Sequence, residues 1–245
     1  MLLPFETVLF EKDGPVGYVT LNRPRVINAV NVQMRDDLYQ AMSAARDDPD
    51  ISVIILKGAE RGFCSGADVS EFGTAPSPII ARQVRWERDQ WGLILGIPKP
   101  IIVAIHGYAI GAGIEMSLCC DLRIASEETR FGLPEVALGM IPAAGGSQTV
   151  PRHLRLGHSM EVLLRGDLIG AEDALRMGLV QRVVSREALL PTAEAWAHRL
   201  ASFDQRAVRA AKEAVYRGLD LPLPQALGLE QALVARLRAG AQIWK

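Results

Sequence analysis

Apolar positions along the chain follow two rhythms. Short, almost continuous apolar runs fall at residues 16–21, 52–57, 100–106, 122–125 and 179–184, the pattern of strands covered on both faces. Helix-length stretches lie between them. The clearest, residues 33–46, repeats apolar side chains at Met34, Leu38, Met42 and Ala45, a spacing that lines one face of a helix. Strand and helix in alternation predict an α/β fold with strands joined by crossover helices. Beyond Val184 the rhythm is helical throughout, over residues 187–202, 207–217 and 224–238, with Pro191, Pro222 and Pro224 expected to mark turns. The expected division is a core of residues 1–185 and a helical region of residues 186–245, with a soft boundary near Ser185. Residues 73–78 read as loop and residues 79–95 as helix.

Composition narrows the setting without changing this picture. A chain of 245 residues, 49% hydrophobic and 22% charged, can bury a sizeable core. A net charge of −1 offers no general attraction to nucleic acid or an anionic membrane. Arg82, Arg85 and Arg88 form only a broken basic stripe, interrupted by Glu87 and Asp89, so RNA binding is disfavoured. No apolar run reaches the roughly 20 residues of a membrane span, and the first residues carry no leader pattern. Cys64, Cys119 and Cys120 are too few and too close to build a disulfide framework, have no metal-site spacing, and read as small buried apolar residues in a reducing, cytoplasmic protein.

The candidate chemistry lies in two glutamates beside turn-rich segments. Glu115 ends the string Gly107-Tyr-Ala-Ile-Gly-Ala-Gly-Ile-Glu115 and is surrounded in sequence by Ile110, Ile114, Met116 and Leu118. Glu135 follows Phe131-Gly-Leu-Pro in a similarly apolar stretch. Burial raises the pKa of a carboxylic acid toward the range useful for proton transfer, and two such acids can divide the handling of one water. Each glutamate alone could equally serve a helix dipole. A third turn, residues 62–68, lies upstream and could aim backbone N–H groups at a ligand.

Five motifs, in order, carry a resemblance. They are Leu21-Asn-Arg-Pro24 with Asn28-Ala29, Phe63-Cys-Ser-Gly-Ala-Asp68, His106 to Glu115, Cys120-Asp-Leu-Arg-Ile-Ala125, and Phe131 to Glu135 running on to Ile141-Pro-Ala-Ala-Gly-Gly146. Together they resemble the crotonase superfamily, and enoyl-CoA hydratase within it. The resemblance implies a spiral of ββα units with a C-terminal α-helical trimerisation region, and a homotrimer or dimer of trimers. It implies an acyl-CoA substrate whose thioester oxygen sits between the backbone N–H groups of Ala67 and Ala112, the latter at a helix N-terminus. Coenzyme A arrives as part of the substrate, so no separate cofactor or metal is expected. Glu115 and Glu135 fall on both hydratase carboxylate positions, whereas many isomerases, dehalogenases and hydrolases of the superfamily keep one or neither. The implied reaction is reversible syn hydration of a trans-2-enoyl-CoA to a 3-hydroxyacyl-CoA. Alternatives are an enoyl-CoA isomerase, a hydratase of branched or cyclic acyl-CoA, a catalytically silent paralogue, and an RNA-binding relative.

Motif position also assigns Arg25, Ser65, Asp68, Val69 and Ala143 to substrate or coenzyme A binding, although Asp68 could instead cap a helix. Trp86 and Trp91 are candidates for shaping the acyl pocket or for an ordinary core helix. His106 reads as structural, and Asp121 with Arg123 as a fold-stabilising pair. The sequence departs from the family at Ala143, where hydratases usually carry glycine and where alanine would resist a positive φ. It departs again at residues 239–245, where relatives usually continue into a further helix that lines the acyl pocket.

Overall fold

A computed structural model describes residues 5–77, 79–80, 83 and 87–239. Six strands form the main sheet: β1 (Val8–Asp13), β2 (Val16–Leu21), β3 (Val53–Gly58), β4 (Ile101–Ile105), β6 (Leu122–Ser126) and β9 (Arg182–Val184), in spatial order β1-β2-β3-β4-β6-β9. All neighbours in it are parallel except the β1–β2 hairpin. A second, three-stranded sheet joins β5 (Tyr108–Ile110), β7 (Arg130–Gly132) and β8 (Ile169–Gly170).

Both faces of the main sheet are buried, which is why its strands read as continuous apolar runs. Leu21, Ile54, Leu56, Val103 and Ile105 face a core closed by α1 (Val32–Asp47) through Met34, Leu38 and Met42, and by α2 (Gln90–Gly96) through Ile94. Val16, Tyr18, Val53, Ile55, Ile102, Ala104 and Ile124 face the other way, against Leu189, Ala193 and Ala197 of α7 (Arg186–Ala201). Three short helices follow the strands nearest the glutamates: α3 (Ala112–Leu118), α4 (Gly146–His153) and α5 (Leu156–Arg165), with α6 (Ala171–Met177) leading back to β9. The chain continues into α8 (Gln205–Gly218) and α9 (Leu223–Ala239), which pack on each other.

The sequence rhythm finds β2, β3, β4, β6, α1 and the three last helices to within a few residues. It misses β1, whose outer half is Glu11, Lys12 and Asp13, and the strands of the small sheet, which are too short to show a period. Pro191 is not a turn. It sits inside α7, between Leu189 and Ala193, whose burial on the sheet holds the helix together across it. Residues 79–95 are not one helix: the chain turns at Arg88, and Asp89, whose side chain accepts from Gly92 N, caps α2 as a separate helix; Trp86, Arg82, Arg85 and residues 240–245 lie outside the described residues.

Asp121 and Arg123 stabilise the fold through different partners rather than as a pair. Arg123, almost fully buried, donates to the carbonyls of Leu179 and Cys120 at 2.7 and 2.8 Å. Asp121 Oδ2 accepts from Ile101 N at 2.7 Å and from Lys212 Nζ at 2.7 Å, tying α8 to the start of β4. Removing one partner of a largely buried ion pair leaves the other charge stranded. Asp121→Ala should therefore lower the unfolding free energy by about 3–5 kcal/mol, and Lys212→Met by less, in urea unfolding monitored by circular dichroism.

Candidate active site

The site begins where two turns press together. Cys64 N donates to Tyr108 O at 2.8 Å and Ile110 N donates to Cys64 O at 3.0 Å, so the turn of residues 64–68 pairs with β5. On its other side Ser65 N donates to Ile27 O (2.9 Å), Val30 N to Gly66 O (2.8 Å) and Asp68 N to Val30 O (2.9 Å). Ala67 lies between these rungs, exposed, and its N–H donates to nothing among the described residues. Glycine makes the approach possible. A Cβ on Gly113 would stand 2.7 Å from Cys64 O, and one on Gly66, which holds φ +106°, would stand 3.1 Å from Ile110 O and 3.9 Å from Ala112 N.

Ala112 is the first residue of α3, and the first backbone rung of that helix is Glu115 N to Gly111 O. Its N–H therefore has no partner within the helix. Two unpaired backbone donors, Ala67 and Ala112, thus come from turns bonded to the same short strand.

Glu115, in the first turn of α3, is only 3% exposed. Its Oε1 accepts from Ala144 N at 2.9 Å and from Gly146 N at 2.8 Å, both in the segment that starts α4. Gly146 must lack a side chain, since a Cβ there would fall 2.6 Å from Pro142 Cβ and 2.9 Å from Glu115 Oε1. Glu135 projects from the 3₁₀ turn Pro134–Leu138 after β7. Its carboxylate reaches Gly111, where a Cβ would stand 2.7 Å from Oε1, and its buried Oε2 has no hydrogen-bond partner among the described residues.

Burial pushes both carboxyls above the usual range. At Glu115 burial dominates, the Gly146 N–H pulls the other way, and the nearby Glu135 raises it again. At Glu135 burial is opposed only by its own backbone N–H. Neither glutamate forms an ion pair with a cation among the described residues. The Glu135 carboxylate thus adds to the rise at Glu115, whereas the rise at Glu135 comes from burial alone.

The remaining candidates fall around this centre. Arg25 is exposed in the 3₁₀ turn Pro24–Val26. Ser65 Oγ donates to Val26 O at 2.9 Å, so its hydroxyl serves that turn. Val69 follows the Ala67 turn and is 67% exposed. Asp68 caps the 3₁₀ turn Val69–Glu71 and pairs with Arg23 at 3.0 Å. Ala143 is exposed and does not take a positive φ; Gly145 does, at +106°, so alanine at 143 brings no strain. The donors to Glu115 at Ala144 and Gly146 have no side-chain signature, and only the Gly145-Gly146 pair hinted at them. His106 is buried with Nε2 2.9 Å from Glu60 O, and burial lowers its pKa. The three cysteines are buried and free, with the thiols of Cys64 and Cys119 pushed up to about 12. No metal-binding cluster occurs among the described residues.

The model of the family described as enoyl-CoA hydratase/isomerase matches residues 11–244. The chain belongs to that family. It is 39% identical to the (E)-benzylidenesuccinyl-CoA hydratase of Thauera aromatica, over 94% of this chain and 90% of that one. It is 36% identical to the crotonyl-CoA hydratase of Syntrophomonas wolfei, over 93% and 88%. Among solved structures, an enoyl-CoA hydratase subunit from Geobacillus kaustophilus superimposes with a TM-score of 0.90 at 35% identity, covering 96% of this chain and 91% of that one. The crotonase fold expected from the motifs, with its C-terminal helical part, is therefore the fold observed.

For this hydratase/isomerase-family enzyme, the raised carboxyls fix the sign of a stability effect. A glutamate whose folded pKa is raised stabilises the fold fully below its unfolded pKa, and that contribution is lost as pH rises through the folded value. Glu135→Gln removes the loss. Its Tm should gain on that of the wild type as pH rises from about 4 toward neutrality. Thermal melts across that range check this, and a Tm difference independent of pH would contradict it.

Proposed function

We propose that the protein adds water reversibly and syn across the double bond of a trans-2-enoyl-CoA, giving a 3-hydroxyacyl-CoA. The observation that carries this is the pair of carboxyls raised by burial, Glu115 buried and Glu135 half-buried, beside two backbone donors with no partner among the described residues. The thioester oxygen lies between the N–H groups of Ala67 and Ala112, which stabilise the negative charge that develops as the α-carbon becomes enolate-like. Glu115, its Oε1 fixed by two N–H groups, orients the water and takes its proton as the oxygen bonds to C3. Glu135 delivers its proton to C2. The turnover moves one proton from Glu135 to Glu115, and exchange with solvent resets the pair.

Arg25 and Ser65 stand near the nucleotide end of coenzyme A, and Val69 and Ala143 along the substrate, while the Asp68 carboxylate is committed to its cap and to Arg23. An isomerase would need to move a proton between two carbons and has no use for a water held by a second acid. The retained pair supports hydration over that alternative. Coenzyme A is part of the substrate and no further cofactor is required. Exposed apolar side chains on and between the last two helices, Val215, Leu219, Leu223 and Leu227, support assembly as a homotrimer or dimer of trimers through the 186–245 region. A cytoplasmic location agrees with the buried free thiols.

Incubating the purified protein with crotonyl-CoA and with a bulkier enoyl-CoA, and following loss of the conjugated enoyl-thioester absorbance, tests the reading. Turnover of neither would reject it. Glu115→Gln and Glu135→Gln should each lower kcat by about 10²–10⁴-fold, with the fold retained, because the glutamine amide oxygen can still accept from Ala144 and Gly146. The wild-type rate should be bell-shaped in pH, with its two limbs belonging to the pair rather than to either residue.

A further inference from the structure

Leu21-Asn-Arg-Pro24 stands out in the sequence, yet Arg23 has no part in the reaction described so far. Its guanidinium lies at the junction that sets the direction of the Ala67 N–H. Arg23 Nη1 donates to Ala29 O at 2.5 Å and to Asp68 Oδ2 at 3.0 Å. Ala29 and Asp68 flank the two rungs, Val30 N to Gly66 O and Asp68 N to Val30 O, that join the first turn to the donor turn. A peptide unit is planar. The rung that pins Gly66 O therefore also pins the Ala67 N–H of the same peptide, aiming it away from Val30 and out of the ladder.

The base beneath Arg23 is stiff. Arg23 N donates to Asn28 Oδ1 at 2.8 Å, and Asn28, fully buried, donates through Nδ2 to Gly62 O at 2.8 Å and Phe63 O at 3.2 Å. Ile27 and Asn28 both hold the left-handed conformation, at φ +49° and +55°. For a β-branched residue such as Ile27 that is costly, and it persists only where surrounding contacts enforce it. On the other side Asp68 Oδ1 accepts from Ser70 Oγ at 2.7 Å and Ser70 N at 3.2 Å. Ser70, then Arg23, hold the Asp68 carboxyl below its usual range, so the pair stays ionised throughout the pH span in which the glutamates work.

We propose that the Arg23–Asp68 ion pair is a positioning clamp for the Ala67 donor, which acts on the reaction by fixing the direction of that N–H without touching the acyl thioester. This rests on reading Ala67 as a donor to the thioester oxygen. Loosening the clamp should tilt the donor rather than abolish it, so the loss in rate should fall short of the roughly 10²–10³-fold cost of deleting a donor.

The test uses the full-length protein, Arg23→Met, Arg23→Lys and Asp68→Asn. Asparagine keeps the cap on the 3₁₀ turn while removing the charge. Two readouts are taken: kcat and KM on crotonyl-CoA, and the infrared carbonyl stretch of an unreactive acyl-CoA thioester bound to each protein. Binding to the wild type should lower that stretch. In Arg23→Met and Asp68→Asn the lowering should be smaller and kcat about tenfold down, with KM little changed and Tm lower, since a partly buried charge loses its partner; Arg23→Lys should recover part of the carbonyl shift and of kcat. A merely structural pair would change Tm and leave the bound carbonyl as in the wild type, and that result overturns the clamp. If binding leaves the carbonyl stretch of the wild type unmoved, the donor reading itself fails and the clamp with it. Should Arg23→Met fail to fold, Asp68→Asn and Arg23→Lys decide between the same outcomes.

Discussion

Backbone pressed against backbone between residues 64–68 and 108–113 is the constraint on which the site depends. Cys64 shares two rungs with β5, and the N-terminal turn of α3 passes so close to Cys64 O that Gly113 has no room for a Cβ. Glycine inside a helix costs about 0.5–1 kcal/mol relative to alanine, and here the cost secures proximity. The Ala67 turn and the Ala112 N–H end up side by side, a Cβ on Gly66 falling only 3.9 Å from Ala112 N. Their separation is then set by hydrogen-bond geometry, which varies little, rather than by side-chain packing. Gly111 extends the same logic, because its missing Cβ is the space that the Glu135 carboxylate occupies. Donors and acids are consequently positioned by a single tight crossing.

Charge is held in this crossing without counter-charge. Asp37, elsewhere in the same core, shows what a structural buried acid looks like: its Oδ2 accepts from Glu6 N, Thr7 N and Thr7 Oγ1 at 2.7–3.0 Å. Glu135 Oε2 is buried with none among the described residues. A lysine or arginine beside either glutamate would favour the ionised form and take the group out of the range where it can give up or accept a proton at neutral pH. Backbone N–H groups offer a milder compromise at Glu115. They fix one oxygen in space and offset part of the desolvation, and burial still wins.

Much of this arrangement is legible in the sequence, for identifiable reasons. A strand buried on both faces has little choice but to be apolar, so β2, β3, β4 and β6 are visible as runs. The glycines at 107, 111 and 113 mark a close approach, and the apolar neighbours of Glu115 foretell its burial. Other parts leave no such trace. The N–H groups of Ala144 and Gly146 that hold Glu115 belong to every amino acid but proline, and no side-chain pattern distinguishes them. Pro191 gives a false turn signal because the packing of Leu189 and Ala193 on the sheet outweighs the local preference. Asp121 and Arg123, adjacent in the strand period, look like partners until the fold brings Lys212 to one and three carbonyls to the other.

The two acids also differ in how much of their environment is complete before substrate arrives. Glu115 is already oriented by two backbone N–H groups, which suits its proposed role of aiming a water. Glu135 keeps an oxygen that has no hydrogen-bond partner among the described residues. In the proposed reaction, an acyl chain laid over the site would exclude water and deepen the desolvation of Glu135, raising its carboxyl further and holding its proton until the α-carbon can take it. In the reverse direction the same burial makes the ionised Glu135 a stronger base toward the C2 proton. One acid fixed by backbone donors and one left short of partners thus suit the proposed reaction, in which one acid gains a proton as the other gives one up in either direction, and matching the two environments would remove that asymmetry.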